Sequence, residues 1–175
     1  MNSSEERHDG CLTCEFQENL DMLRDNYFFS ALSIEVLKVL AYLCSREKFR
    51  TGESLFSQGE DDGLAFFIIS GKARLTRRSD NGENIIKGID SGMFIGGFAL
   101  IGKLRRLFSL VAETDMECLV LSRERFLKAM EQFPDELPKI LNALVARLVV
   151  WEGRLLKDIE IDCRQALGST GASLL

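Results

Sequence analysis

The chain has 175 residues, of which 46% are hydrophobic and 28% charged, enough for the core of one compact domain with helical additions. Its formal net charge of -5 argues against a surface that binds a polyanion along the whole chain. No apolar run reaches the length of a membrane span, and the N-terminus MNSSEERHDG lacks the apolar core of a signal peptide. Together with five scattered cysteines, these features predict a cytoplasmic protein with no membrane association.

A polar segment at residues 1–27 carries two cysteines, Cys11 and Cys14, separated by two residues. Thiolates at this spacing, with Cys118 as a distant partner, can in principle hold a metal ion or cluster. The stretch that follows the pair offers no further cysteine, and the chain's one histidine, His8, lies in the polar tail. We therefore predict no metal site.

A helix is predicted next, because apolar residues recur at helical spacing and Ser33 stands at a suitable N-cap position. The apolar residues of this lead helix are Leu32, Val36, Leu37, Leu40, Ala41 and Leu43.

Short apolar strands follow, separated by turn residues. Asn81-Gly82 between two strand-like runs indicates a hairpin, because both residues accept positive φ at low cost. Strands this short at this spacing indicate a barrel or roll rather than a parallel sheet. The predicted turns are Thr51-Gly52, Gly59 to Gly63, Ser70-Gly71, Asp80-Asn81-Gly82 and Asp90-Ser91-Gly92.

Two helices are predicted after the roll. Ser122 is the expected N-cap of the first, which ends near Phe133 because proline disfavours helical geometry in the residue before it. The second begins near Asp135 and carries apolar residues at alternating spacings of four and three, typical of a coiled-coil seam. The seam residues are Leu137, Leu141, Leu144, Leu148, Trp151 and Leu155.

The seam predicts a parallel homodimer. The alternative is that the long helix packs back on its own roll. Ile140, Val145, Val149 and Val150 widen its apolar face enough for both arrangements.

Between Gly92 and Ala112 the chain reads GMFIGGFALIGKLRRLFSLVA. This stretch resembles the phosphate-binding cassette of cyclic-nucleotide-binding domains, as found in the catabolite-activator and fumarate-nitrate-regulator family. The resemblance extends over residues 28 to 157. It implies a mostly β fold, a double-stranded β-helix (jelly roll) with flanking helices, and a long C-terminal dimerisation helix.

In the family, a short helix and an arginine bind the cyclic phosphate, so the resemblance places Arg106 at the phosphate. Gly97 stands where the family has an acidic residue that holds the ribose hydroxyl, and Leu107 stands where it has a small hydroxyl residue. Trp151 lies near the position from which the dimer helix touches the base, although an aromatic residue in a core or interface needs no ligand. The candidate ligand-binding residues are Gly96, Gly97, Phe98, Ala99, Arg106, Leu107 and Trp151.

The resemblance also bears on cofactors and domains. Cys118 aligns with a cluster ligand of the family's oxygen sensors, but the fourth ligand is missing and we predict no iron–sulfur cluster. The family's DNA-binding domain is not found, so we predict no specific DNA binding by this chain. We favour a stand-alone sensor domain; the alternative is the sensor half of a longer regulator. The predicted divisions are 1–27, the roll with its helices at 28–134, the dimerisation helix at 135–163 and a polar tail at 164–175.

No histidine lies near a serine or cysteine as a general base, and we predict that the protein is not an enzyme. Two function classes remain open. The first is a sensor of a small anion or nucleotide, favoured by Arg106 beside Lys103 and Arg105. The second is an interaction domain that has lost its ligand, favoured by Gly97 and Leu107. For either class we expect weak or no binding of cyclic AMP and cyclic GMP.

Overall fold

Residues 5–80 and 82–161 are described by a computed structural model. Within these residues, two helices precede the β-rich part, a short helix interrupts it, and two helices follow it. The helices are α1 (Glu5–Arg24), α2 (Ile34–Leu43), α3 (Gly97–Ile101), α4 (Arg123–Gln132) and α5 (Leu137–Ile161), with a 3-10 turn at Pro134–Glu136 before α5.

In the described part of the chain, eight strands form two four-stranded antiparallel sheets. The first has the strand order β1-β8-β3-β6 and the second the order β2-β7-β4-β5. The strands are β1 (Ser45–Phe49), β2 (Ser54–Phe56), β3 (Leu64–Ser70), β4 (Lys72–Ser79), β5 (Gly82–Asp90), β6 (Phe94–Ile95), β7 (Ser109–Ala112) and β8 (Met116–Ser122). The predicted fold class, a mostly β jelly roll with flanking helices and a long C-terminal helix, is confirmed.

The predicted turns fall between the strands because their glycines adopt positive φ, a conformation that other residues rarely accept. The glycines concerned are Gly52, Gly59, Gly63, Gly71, Gly82 and Gly92. The two helix starts also agree with the sequence. Ser122 caps α4 by accepting a hydrogen bond from the Arg125 N–H at 3.3 Å. Ser33 precedes α2, but its hydroxyl makes no capping bond.

The core has two parts. Between the two sheets, residues such as Phe56, Phe66 and Leu110 are buried. Between the first sheet and the helices lies an aromatic cluster, in which the Phe28 ring is 4.7 Å from the Phe29 ring and 5.5 Å from the Phe94 ring. This aromatic cluster fastens the segment before α2 to the strand that leads into α3.

The N-terminal segment, interpreted from sequence only as polar, contains the helix α1. Leu20 and Leu23 are buried in the helical part of the core. Arg46 on β1 holds the helix from outside, with its Nη2 2.7 Å from the Glu18 carboxylate. Polar residues dominate α1, but Phe16, Leu20 and Leu23 lie at helical spacing, and this face of the helix packs on the helical part of the core.

The long helix α5 uses one face for its own chain. Ile140 is fully buried and Leu144 is 6% exposed, both in the helical part of the core. The predicted seam is therefore wrong for Leu144, because the helix packs back on its own domain through this face. Leu141 and Leu148 remain exposed. The side chain of Leu155 and the polar tail at 164–175 lie outside the described residues.

Candidate functional site

The cassette, residues 92–112, contains β6, whose pairing with β3 places α3 at the end of the first sheet. Within α3, Ala99 and Leu100 are fully buried. Phe98 points outward and is 53% exposed. The buried residues fix the short helix on the domain, while its outer side faces solvent.

Two glycines at the start of α3 have no room for a side chain. Gly96 adopts φ 94°, and a Cβ there would lie 2.7 Å from the Leu64 carbonyl oxygen. A Cβ on Gly97 would lie 2.8 Å from the Phe28 ring and 2.9 Å from the Phe94 ring. The aromatic cluster therefore fills the direction in which an acidic side chain at position 97 would start.

Arg106 is buried and neutralised by the protein itself. Its guanidinium donates two hydrogen bonds to Asp62, from Nη2 at 2.7 Å and from Nε at 3.2 Å. A third bond runs from Nη2 to the Leu64 carbonyl oxygen. The guanidinium carbon lies 4.0 Å from the centre of the Phe56 ring. Within the described residues Nη1 donates no hydrogen bond, and it lies beside Gly96.

The backbone of Arg106 is held by the same loop. We call residues 59–63, Gly-Glu-Asp-Asp-Gly, the acidic turn. The Gly59 N–H donates to the Arg106 carbonyl oxygen at 2.8 Å, and the Arg106 N–H donates to the Glu60 carbonyl oxygen at 2.8 Å. Sequence reasoning placed a turn here but missed Asp62 as the partner of Arg106. Two adjacent carboxylates in a turn were the available signal.

The outer surface of the cassette combines apolar and cationic side chains. Leu107 is 72% exposed and Leu104 40% exposed, close in sequence to exposed Lys103 and Arg105. The loop after α3 therefore presents both apolar and positively charged side chains to solvent.

Trp151 does not join the cassette in this structure. It lies on α5 with 56% of its surface exposed. Among the described residues, no ring contact or hydrogen bond links it to Arg106 or to α3. A groove of about 690 Å³ includes Gly59 and Ser109 but not Arg106. Six of the seven predicted site residues thus lie in the cassette, where Arg106 lies beside Gly96, and the seventh, Trp151, lies on α5.

The cysteines are separated by burial and chemistry. Cys14 is exposed, while Cys118 is fully buried in β8. Burial raises the pKa of the Cys44 thiol to about 12 and that of the Cys118 thiol to about 12, which makes both poor thiolates. Over residues 14–80 and 82–154, no group of three or more potential metal ligands is found. The side chain of Cys11 lies outside the described residues.

No helix in the described part of the chain combines the length and apolarity that crossing a bilayer requires.

The chain is similar to known proteins in both sequence and structure. The family profile described as cyclic nucleotide-binding domain matches residues 46–133. The cGMP-dependent protein kinase 2 of Mus musculus is 32% identical over 105 residues, which cover 58% of this chain and 14% of the kinase. The cyclic AMP receptor protein of Thermus thermophilus is 29% identical over 142 residues, covering 80% of this chain and 62% of the receptor.

A solved structure of a cyclic nucleotide-binding-like protein is also similar to this chain. The cyclic nucleotide-binding-like protein from Brucella abortus is 29% identical, with a TM-score of 0.61 over 65% of this chain and 98% of that chain. Among these relatives, the chain spans 62% of the length of the Thermus receptor and a much smaller part of the kinase.

Proposed function

This chain belongs to the cyclic nucleotide-binding domain family, whose members are regulatory rather than catalytic, and from that premise we propose that it senses a small anion through Arg106. The observation that carries the proposal is the guanidinium behind α3, where Nη1 keeps its donors free among the described residues. Gly96, Gly97, Phe98, Ala99 and Leu107 form the rest of the proposed site.

Cyclic AMP and cyclic GMP are expected to bind weakly. An acidic group that accepts from the ribose hydroxyl is worth ~1.5 to 3 kcal/mol, and a hydroxyl on the phosphate adds ~0.5 to 1.5 kcal/mol. Gly97 and Leu107 supply neither. The two missing contributions sum to ~2 to 4.5 kcal/mol, which raises a micromolar dissociation constant to roughly tens of micromolar or the millimolar range. Asp62 weakens binding further, because a phosphate competes with a carboxylate that already neutralises Arg106.

A less polar anion suits the surface better than a nucleotide. Phe98, Leu104 and Leu107 offer apolar area next to Arg106, and Lys103 and Arg105 add positive charge in the same loop. An anion with an apolar body can use both features at once. We therefore propose an amphipathic carboxylate or phosphate as the ligand class.

Calorimetric titration tests the proposal with cyclic AMP, cyclic GMP and a panel of aliphatic and aromatic carboxylates and phosphates. Arg106→Gln should abolish anion binding. The matched control is Lys38→Gln, which removes an exposed cation of α2, outside the cassette, and should change affinity by less than about threefold. Submicromolar affinity for either cyclic nucleotide, or binding that survives Arg106→Gln, would contradict it.

We further propose that the domain signals as a homodimer through α5. The exposed residues Leu141, Val145 and Leu148 lie three and four residues apart, so they form one apolar stripe beside the buried face of the helix. Trp151 remains a proposed member of the ligand site in such a dimer. Leu141→Glu combined with Leu148→Glu should give monomers in analytical ultracentrifugation. A wild-type protein that is already monomeric at tens of micromolar would refute the dimer.

A second candidate function is an interaction domain without a ligand. It is favoured by the internal ion pair of Arg106 and by the filled space at Gly97. A flat titration across the whole panel, with a dimer still present, would select it. The sensor half of a longer regulator stays a third proposal, since the chain spans 62% of the Thermus receptor. We also propose that this chain binds no specific DNA sequence, holds no iron–sulfur cluster and catalyses no reaction. We propose a cytoplasmic location for it.

A further inference from the structure

The second sheet carries a groove on the face that points away from the core. Leu110 of β7 is buried between the two sheets, so its neighbours Ser109 and Val111 face outward. Thr76 of β4 lies opposite Ser109 and shares this outer face. A groove of about 690 Å³ opens here, and we call it the outer groove; its lining includes Gln58, Arg78, Glu83 and Ser109.

One wall of the outer groove is fixed by the loop that follows β2. The side-chain oxygen of Gln58 accepts a hydrogen bond from the Arg78 N–H at 2.8 Å, and its amide nitrogen donates to the Arg78 carbonyl oxygen at 3.4 Å. The Gln58 N–H donates to the Ser109 hydroxyl at 2.9 Å. These three bonds fasten the loop to β4 and to β7, so the wall of the groove is formed without any ligand.

Two opposite charges lie side by side in the outer groove without forming an ion pair. Glu83 of β5 is directly opposite Arg78 of β4. The Glu83 Oε1 atom instead accepts a hydrogen bond from the Thr76 hydroxyl at 2.8 Å, and Thr76 is only 2% exposed. Within the described residues, the Arg78 guanidinium has no bonding partner and Glu83 Oε2 accepts no hydrogen bond. Both charged groups are therefore open to a ligand.

The signs of these charges select the kind of ligand. A simple anion that binds Arg78 meets the carboxylates of Glu83 and Asp80, which also line the groove, and a simple cation meets Arg78. A molecule with one charge of each sign satisfies both groups. Directly opposite residues of antiparallel strands have Cβ atoms about 4.5 to 5.5 Å apart, so the two charges of the ligand must also be close together.

We propose that the outer groove binds a free α-amino acid, whose carboxylate bonds to Arg78 and whose ammonium group bonds to Glu83. The Ser109 hydroxyl accepts from Gln58 and keeps its own hydrogen for the ligand's carboxylate. This site is separate from the proposed anion site, because the Arg106 guanidinium lies over Phe56 in the core between the sheets. It adds a second ligand to the proposed function and does not depend on it.

Thermal unfolding with each of the standard L-amino acids at about 10 mM identifies the ligand, because a bound ligand raises the melting temperature. Calorimetry should then give a dissociation constant of about 1 mM or lower for at least one of them. The matching amine, which lacks the carboxylate, and the matching carboxylic acid, which lacks the ammonium group, should each bind at least about tenfold more weakly. No binding by any amino acid, or equal affinity for the acid and the amino acid, would overturn the proposal.

Two single variants test the two charges of the groove. Arg78→Gln and Glu83→Gln should each weaken amino-acid binding by at least about tenfold. Both should fold, because Arg78 is exposed and glutamine keeps an oxygen for the Thr76 hydroxyl. The matched control is Arg77→Gln, which removes an exposed cation that alternates to the other face of β4 and should change affinity by less than about twofold. Equal losses in Arg77→Gln and Arg78→Gln would overturn the proposal.

Amide NMR spectra separate this site from the cassette, for which carboxylates are also proposed ligands. The amino acid should shift the amide resonances of Gln58, Ser79, Glu83 and Ser109. Shifts confined to residues 96–107 would show that the cassette binds the amino acid through its carboxylate, which would overturn the outer-groove proposal and support the anion site. If the anion panel does not bind, the proposed function fails, while shifts in the outer groove would still support the amino-acid site.

Discussion

The cassette and the long helix α5 differ in whether their functional side chains already have partners within the chain. In the cassette, the charge of Arg106 is satisfied internally by Asp62 and by the Leu64 carbonyl oxygen. On α5, the apolar side chains of Leu141, Val145 and Leu148 stay 43%, 57% and 39% exposed. Binding a ligand contributes little favourable free energy at a charge that is already paired. Covering exposed apolar area with another surface is favourable, because it removes that area from water. We therefore propose that self-association through α5 is stronger than anion binding at Arg106.

The sharpest test of this comparison uses two leucines one turn apart on α5. Leu144→Glu puts a charge into the chain's own core without a partner and should lower the free energy of unfolding by about 3 to 5 kcal/mol. Leu148→Glu changes an exposed side chain and should lower it by less than about 1 kcal/mol in the monomer, while it weakens the dimer. Denaturant unfolding and ultracentrifugation measure the two effects. Similar stability losses in both variants would contradict the division of α5 into a core face and an outer face.

The filled space at Gly97 gives the next largest effect. Gly97→Ala forces a Cβ against the rings of Phe28 and Phe94 and should cost about 1 to 3 kcal/mol in thermal or denaturant unfolding. Gly102→Ala is the matched control, because a Cβ there meets nothing within 4 Å and φ is -153°. This control should be neutral or stabilising by up to about 1 kcal/mol.

The same steric argument applies to restoring the family's acidic residue. Gly97→Glu should not raise the affinity for cyclic AMP, because the side chain cannot leave the backbone toward the site without moving the aromatic cluster. Calorimetry measures this directly. A gain of more than about tenfold would show that the cluster yields and that the site is adaptable.

Releasing Arg106 from its internal partner should strengthen anion binding. Asp62→Asn removes the competing negative charge, and we expect the affinity for inorganic phosphate to rise about tenfold, close to 1.4 kcal/mol. Asp90→Asn, which removes a charge at the end of β5, should leave the affinity unchanged within about twofold. If both variants bind phosphate with equal affinity, the ion pair between Arg106 and Asp62 does not limit the affinity of the site for phosphate.

The smallest effect concerns acid stability. The bond from Arg123 lowers the pKa of Asp61 below its ordinary value of 3.8, so its contribution to stability is present above that value. The contribution is lost as the pH falls from about 4 through the lower pKa of the folded state. Asp61→Asn should therefore flatten the pH dependence of the denaturant midpoint below about pH 4. An unchanged slope would mean that Asp61 is free in solution.

Local sequence patterns predicted the elements because their physics is local. Glycines that accept positive φ mark the turns, Ser122 caps α4, and apolar spacing gives α2 and α5. The prediction of a polar segment at residues 1–27 missed α1, although its buried residues Leu20 and Leu23 and the partly buried Phe16 lie at helical spacing.

The sequence by itself determined the family and the position of Arg106, because the cassette, the turn glycines of the roll and the helix after the roll together carry the resemblance. Only the tertiary structure decided what that arginine bonds to. Asp62 lies 44 positions earlier in the chain, and Phe28, which fills the space at Gly97, lies still further away in sequence. Nor could spacing alone decide which face of α5 is buried. Apolar residues lie on more than one side of that helix, and the side that packs is chosen by the surface of the folded domain.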